Sequence, residues 1–420
     1  MSKISVVVSC PIDTYSGYGS RARDFVKGLL QLGKYDVKVL PQRWGNTRFG
    51  YLKDHNETEL SALIVNGLTA KPDVWIQITV PNEFQPVGTY NIGLTAGIET
   101  TVCDPSWIEG LNRMNLNLVS SYHAKNVFEK TSFKIEEKGQ ITGELKLEKP
   151  VKVLFEGVDL SKYFTTKSDF DLSVVEEDFA FLFVGHWLQG DFGQDRKNVG
   201  YLVRAFLEVF KNKKNAPALI LKTQSANASI LDRDQILKKL DDIRKTVKGT
   251  LPNIYVVHGE MSDEEINALY NHSKVKAMVS LTKGEGFGRP LLEFSCINKP
   301  VVATDWSGHT DFLDKEFTYL VNGSLANVHP SAVVEKMILK EAQWFVPSDS
   351  DAANGLKAVH SNYKKYSELA KRQGYKSRNN FSYEKMVEQL DSILSQNLPE
   401  FPKQVELKLP TLSLPKLQKI

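Results

Sequence analysis

Glu285-Gly-Phe-Gly-Arg-Pro-Leu-Leu-Glu293 carries two carboxylates separated by seven residues, with Gly-Phe-Gly behind the first and a proline ahead of the apolar run. The stretch follows an apolar, strand-like segment (residues 275–281) and leads into Leu291-Leu292-Glu293-Phe294, which reads as a helix beginning at Pro290. Proline suits a first helical turn because the N–H it lacks would have no partner there. Glycines let a ligand approach the backbone closely, and a helix N-terminus offers free N–H groups and the positive end of a dipole. Such a loop holds a diphosphate on backbone amides and leaves Glu285 and Glu293 to accept hydrogen bonds from sugar hydroxyls. Taken alone, two glutamates at this spacing are ordinary surface carboxylates. The preceding strand, the glycines and the proline make this pair part of a ligand loop.

Around that stretch, strand-like and helix-like segments alternate. In the second half, residues 179–184, Ala218–Lys222, 254–258, 276–281 and 300–304 read as strands, with helices at Val199–Phe210 and 235–247. In the first half, strands are expected at 4–9, 36–40, 74–79, 91–96 and 117–120, and helices at 21–32 and 124–130. The alternation predicts parallel sheets with helices on both faces. The expected architecture is α/β, with two doubly wound domains at 1–150 and 151–380. Residues 134–149 are charged and poor in core residues, which suggests a surface insertion or hairpin. A helix at 381–397 closes the folded part, and the proline- and lysine-containing segment 398–420 reads as an extended tail.

Composition narrows the class. A chain of 420 residues is long enough for two cores, and 41% hydrophobic with 25% charged residues is the balance of a soluble globular protein. Lys plus Arg number 53 against 50 for Asp plus Glu, and the net +3 is too mild to argue nucleic-acid binding from charge alone. Cys10, Cys103 and Cys296 show no metal-ligand spacing and read as buried free thiols in a reducing compartment. The N-terminus reads as a first strand without a cleavage region, and no apolar run is long enough to span a bilayer. A cytoplasmic protein with no membrane span is expected.

Ligands of open α/β sheets bind beyond the carboxyl ends of the strands, so the loops there carry the functional weight. Gly17-Tyr-Gly19, between the first strand and its helix, reads either as a tight turn or as a ligand loop. Arg196 and Lys197, in Asp195-Arg-Lys-Asn198, read as phosphate ligands or as solvated loop residues. Lys222 closes a buried strand, either as a solvated terminus or facing a nucleotide. Glu99, in Ala96-Gly-Ile-Glu-Thr-Thr101, could serve as a base, bind an acceptor hydroxyl or anchor its loop. Arg43, Trp44 and Arg48 combine cationic and aromatic groups, which suits an anionic or base-bearing acceptor as well as ordinary loop packing.

The two-glutamate stretch in this setting resembles the signature of retaining nucleotide-sugar glycosyltransferases of the large family four, which have the GT-B fold: two Rossmann-like domains facing a central cleft. The resemblance covers nearly the whole chain apart from the tail. It implies that Glu293 binds the ribose, Glu285 the sugar hydroxyls, and Gly286, Phe287 and Gly288 offer backbone amides. It places Gly17 and Gly19 beside the donor diphosphate, and Lys197, with Arg196, against that diphosphate. Lys222 would face the nucleotide. The family's arginine after the first strand of the second domain is replaced by His186, and a family histidine on the acceptor side is replaced by Glu99. No cofactor or metal is implied beyond the nucleotide-diphosphate sugar as co-substrate. Ser16-Gly-Tyr-Gly-Ser20 and Gln42-Arg-Trp-Gly-Asn46 look like glycosyltransferases encoded by large tailed bacteriophages. That resemblance points to a hydroxymethylated base in phage DNA as acceptor, which Arg43, Trp44 and Arg48 would read. With a net charge of only +3 such an enzyme would need help to hold DNA. The tail, whose prolines prevent a stable helix and whose leucines and lysines could dock as an extended segment, is the candidate site for a protein partner. Transfer to a cell-surface glycan or protein stays open. So do a phosphorylase or epimerase on the same fold and a binder without turnover.

Overall fold

The computed structural model describes residues 3–225 and 228–401. Two six-stranded sheets organise it. The first contains β1 (Ile4–Cys10), β2 (Tyr35–Pro41), β3 (Val74–Ile78), β4 (Tyr90–Thr95), β5 (Leu116–Val119) and β6 (Val151–Val153), in the order β2-β1-β3-β4-β5-β6. The second contains β7 (Ala180–Val184), β8 (Ala218–Lys222), β9 (Ile254–Val257), β10 (Val275–Ser280), β11 (Val301–Thr304) and β12 (Tyr319–Val321), in the order β9-β8-β7-β10-β11-β12. All pairings within both sheets are parallel. This is the GT-B arrangement of two Rossmann-like sheets.

Buried apolar clusters cover both faces of each sheet. The helix Val199–Phe210 illustrates why. Val199, Leu202, Val203, Phe206, Leu207 and Phe210 repeat at helical spacing, and all six are buried on the sheet side. The last helix, Tyr383–Asn397, inserts Met386, Val387, Leu390, Ile393 and Leu394 into the core of the first sheet, and Lys34 pairs with its Asp391. Leu398 and Phe401 pack against that same core, so the segment read as a tail begins with packed residues. Residues 402–420 of that tail lie outside the described residues.

Strand order fixes where a ligand can sit. In each sheet the direction of strand addition reverses once, between β1 and β3 in the first and between β7 and β10 in the second. The carboxyl ends of strands flanking such a reversal form a crevice. The loops emerging there are those after Cys10, Ile78, Val184 and Ser280.

Several local expectations change. Gly17-Tyr-Gly19 is the first turn of a helix spanning Gly17–Leu32, not a loop before one. Ser16 is its N-cap and its hydroxyl accepts the Gly19 N–H, which offsets the weak helix propensity of two glycines. The charged insertion is an antiparallel hairpin, Ser132–Glu137 with Gln140–Lys146. The helices Asp349–Ser361 and Tyr363–Asn380 and the hairpin Gly323–Asn327 with Gln343–Pro347 were not anticipated. All three cysteines are buried and free. Among the described residues no helix is long and apolar enough to cross a membrane.

Candidate active site

The loop after β10 and the turn before the helix Val199–Phe210 meet at the reversal point of the second sheet. Asn198 adopts a left-handed conformation (φ 57°) and its amide donates to the Leu281 carbonyl, while the Lys283 N–H bonds to the Arg196 carbonyl. These bonds bring Arg196 and Lys197 against Glu285 from 89 and 88 residues away in sequence. Lys197 Nζ donates to Glu285 Oε1 at 2.6 Å and to Oε2 at 2.7 Å. Arg196 Nη1 donates to the Gly284 carbonyl at 2.8 Å and lies 3.4 Å from Glu285 Oε2. The same nitrogen is 3.5 Å from Glu99 Oε1, on the loop after β4 of the opposite domain. Burial alone would raise the Glu285 carboxyl, but Lys197, then Arg196, draw it down to about 2.

Glu293 lies within the short helix that follows. Gly288 (φ 97°) caps the helix Arg289–Cys296, with Pro290 in its first turn as expected. Glu293 is buried, and burial raises its carboxyl to about 7 against the pull of Arg289. Arg289 Nε donates to Glu293 Oε1 at 3.0 Å, and the Tyr270 hydroxyl approaches Oε2 at 3.4 Å. Arg289 also reaches across the cleft, donating from Nη1 to Asp24 Oδ2 at 2.6 Å, with Glu156 Oε2 4.0 Å away.

The segment after β11 completes the wall. Ser307, at φ 78°, accepts the Glu285 N–H on its hydroxyl, and Gly308 N–H bonds to the Glu285 carbonyl. His309 is fully buried, and its Nε2 donates to the Thr304 carbonyl at 2.6 Å. Further contacts close the cleft. Asp311 accepts the Tyr122 N–H at 2.8 Å, Thr101 exchanges two hydrogen bonds with Gln343, and the His123 ring meets Trp306 edge-on at 4.6 Å. The contact is tightest at Gly284, where a Cβ would stand 2.1 Å from the Glu99 carbonyl oxygen.

Other anticipated residues fall in different surroundings. Gly17 lies open at the start of its helix, while Gly19 is packed on Thr14. His186 is exposed at the end of β7, where its Nδ1 bonds to the Ser225 carbonyl. Lys222 is held by the Gly259 carbonyl at 2.6 Å and is neither a free strand terminus nor an unengaged cation. The Phe287 side chain is buried against Phe312 at 5.1 Å between ring centres, which leaves the backbone amide, the group expected to face a donor, as what that residue can offer. Trp44 stacks on Tyr18 at 3.9 Å, and Tyr18 in turn bonds to Thr95. Arg43 is exposed above Phe49, whereas Arg48 is bound to Asp54 at 2.5 Å and lies over Tyr15. Arg48 is therefore partly neutralised within its own loop. Among the described residues no group of three or more His, Cys, Asp or Glu side chains is arranged to hold a metal ion.

The sequence gives no local sign of Asp24 or Tyr270, and of Arg289 only that an arginine heads an otherwise apolar helix. Ser307 and His309, by contrast, lie in the segment 304–311, which resembles the family's glycine-containing loop near the donor.

Residues 179–339 match the family described as glycosyl transferases group 1. No curated protein matches the chain by sequence. Solved structures match it throughout its length. A glycosyltransferase from Rickettsia africae is 13% identical, with a TM-score of 0.63 over 95% of this chain and 99% of that one. Sucrose-phosphate synthase from Thermosynechococcus elongatus is 12% identical, with a TM-score of 0.62 over 94% and 99%. Anabaena HepE, solved in complex with UDP-glucose, is 13% identical, with a TM-score of 0.61 over 94% and 100%. These likenesses establish the fold, and the family match covers the part of the chain that holds Arg196, Lys197, Glu285 and Glu293. The chain carries a glycosyl transferases group 1 domain on a GT-B frame, and it is an enzyme of the glycosyltransferase class.

Proposed function

We propose that the protein transfers a glycosyl group from a nucleoside-diphosphate sugar to a hydroxyl acceptor with retention of anomeric configuration. The observation that carries this reading is the pairing of Glu285 with Lys197 and Arg196 at the strand reversal of the second sheet. Two cations fixed there before substrate arrives suit a diphosphate leaving group, whose charge grows as the glycosidic bond breaks. Glu293 takes the ribose hydroxyls and Glu285 those of the sugar. The bond from the anomeric carbon to the leaving oxygen breaks, the acceptor oxygen bonds on the same face, and its proton passes to the departing phosphate. Retention rests on the resemblance of the two-glutamate stretch to the retaining family. A nucleotide sugar is in keeping with the UDP-glucose bound by Anabaena HepE on the same fold. Lys197 and Arg196 supply positive charge to the diphosphate, so turnover should withstand a chelator.

For the acceptor, the reading is a hydroxymethylated base in DNA. It rests on the resemblance to phage-encoded enzymes and on exposed Arg43 beside Trp44, a cation next to a stacking surface. The protein partner expected for the tail would act through residues outside the described ones. A donor screen with hydroxymethylated DNA, plain DNA and no DNA, read by mass spectrometry, tests the whole reading. Sugar on hydroxymethylated DNA supports it. Sugar on glycan or protein alone removes the DNA acceptor. Inorganic phosphate as acceptor indicates a phosphorylase, an altered donor sugar an epimerase, and nucleotide binding without turnover a binder.

A further inference from the structure

Arg289 stands inside the two-glutamate stretch and touches carboxylates on both sides of the cleft. Its Nε bonds to Glu293 Oε1 at 3.0 Å, and its Nη1 bonds to Asp24 Oδ2 at 2.6 Å, on the first helix of the opposite domain. Glu156, in the segment joining the two domains, brings a third carboxylate to 4.0 Å. All these side chains are largely withdrawn from solvent. Buried charges in such an arrangement interact strongly, and removing one partner leaves the others uncompensated. The guanidinium is also a rigid plane with donors pointing in several directions, so fixing one edge fixes the others.

We propose that Arg289 is a positioning residue that couples closure of the two domains to capture of the donor ribose by Glu293. The inference rests on the nucleotide-sugar reading given above. When the domains close, Asp24 seats on Nη1 and sets the plane of the guanidinium. That plane holds Glu293 by Oε1 and leaves Oε2, met among the described residues only by the Tyr270 hydroxyl at 3.4 Å, to accept from the ribose. Burial pushes the Glu293 carboxyl upward, so without the arginine it would tend to hold a proton and lose acceptor capacity. Coupling of this kind is reciprocal. If closure improves ribose binding, ribose binding must favour closure by the same factor.

The test uses the full chain with fluorophores on Lys71→Cys and Lys213→Cys, two exposed positions on opposite domains; the three native cysteines are buried. UDP and GDP are titrated by calorimetry while the interdomain distance is followed. Wild type should close as nucleotide binds. Asp24→Asn keeps the contact between Arg289 and Glu293 but should bind nucleotide about tenfold more weakly and fail to close. Arg289→Lys preserves the charge but lacks the rigid planar fork that fixes Asp24 and Glu293 relative to each other, so it should also bind without closing. Asp24→Glu should restore much of the coupling. A purely structural bridge would lower thermal stability in these variants but leave affinity and closure as in wild type, and that result overturns the proposal. If wild type binds neither nucleotide, the donor reading fails and the coupling falls with it. If it binds and Asp24→Asn closes normally, the coupling alone falls.

Discussion

Lys197 Nζ stands 2.6 Å and 2.7 Å from the two carboxylate oxygens of Glu285, so one ammonium faces the whole carboxylate. Arg196 adds a second cation from the side and ties the pair to Glu99 across the cleft. Glu285 is buried and Lys197 largely so, which makes each charge dependent on the other. A diphosphate arriving at Lys197 therefore competes with Glu285 for the same ammonium, and sugar hydroxyls would engage the carboxylate so released.

This competition separates two substitutions. Lys197→Ala should lower turnover by about 10²-fold or more, because a cation facing the leaving group is gone. It should also destabilise the fold, since the buried Glu285 carboxylate loses its nearest cation and, among the described residues, keeps Arg196 alone. Glu285→Gln should lower turnover as well, but donor affinity should hold or tighten because the lysine is freed. Calorimetry beside steady-state kinetics distinguishes the two. Equal loss of donor affinity in both variants would contradict the competition.

Glu293 makes the pH dependence specific. Its carboxyl is raised by burial from 4.5 to about 7. The ionised form accepts hydrogen bonds on both oxygens, whereas the protonated form turns one into a donor. Donor affinity should fall as pH drops through about 7, approaching tenfold per pH unit below it, and Glu293→Gln should flatten the profile. The stability signs of the two glutamates are opposite. A raised carboxyl adds stability that is full below 4.5 and is lost as pH rises through about 7. The Glu285 carboxyl, lowered from 4.5 to about 2, adds stability that is present above 4.5 and is lost as pH falls through about 2. Thermal melts of the two Gln variants across pH check both signs.

The sequence revealed the frame more readily than the pairings at the site. The helix Val199–Phe210 was legible because its apolar residues keep a helical period and its sheet-facing side is wholly buried. The helix Tyr363–Asn380 was not, because it buries only Ala370, Gln373, Gly374 and Ser377 and so carries almost no apolar stripe. Two glycines concealed the start of the first helix, although Ser16 was in the capping position. At the site, Glu285 and the Arg196–Lys197 pair stood out as charged groups at strand ends, and the fold brings them together. The role of Arg289 depends on Asp24, 265 residues earlier, and no local pattern announces such a pairing. Nor could residue type alone decide that Phe287 turns into the core or that Asp54 claims Arg48.

Gly284→Ala tests whether the closed cleft is the working state. The added Cβ would stand 2.1 Å from the Glu99 carbonyl oxygen, and that main-chain atom cannot rotate away. Glu99 belongs to the other domain, so separation of the domains relieves the clash without unfolding either one. Transfer should fall about 10²-fold, the scale expected when reacting groups are held out of line, while the melting temperature changes little. Donor binding at the second domain should survive in weakened form. Wild-type turnover in this variant would mean that Gly284 and Glu99 move apart during the reaction.

The acceptor surface allows an unequal prediction for two arginines. Arg48 is bound to Asp54 at 2.5 Å and lies over the Tyr15 ring, so part of its charge is already spent within the protein. Arg43 is exposed, 5.8 Å from the Phe49 ring centre, and has no carboxylate at salt-bridge distance among the described residues. If DNA is the acceptor, Arg43→Ala should weaken its binding more than Arg48→Ala does. The salt dependence should follow, because removing one cation from a phosphate lowers the slope of log affinity against log salt by about 0.9. Trp44→Ala should reduce acceptor affinity by removing a stacking surface, on the order of 1–3 kcal/mol if a base rests on its ring. Donor hydrolysis should be unchanged in the arginine variants, since neither touches Lys197, Glu285 or Glu293. Truncation after Phe401 preserves the packed residues Leu398 and Phe401, so it should leave both folding and donor hydrolysis intact. Fluorescence anisotropy with hydroxymethylated duplex at several salt concentrations measures the affinities and slopes. Identical values for wild type and the Arg43 and Arg48 variants would remove this rim from any DNA path.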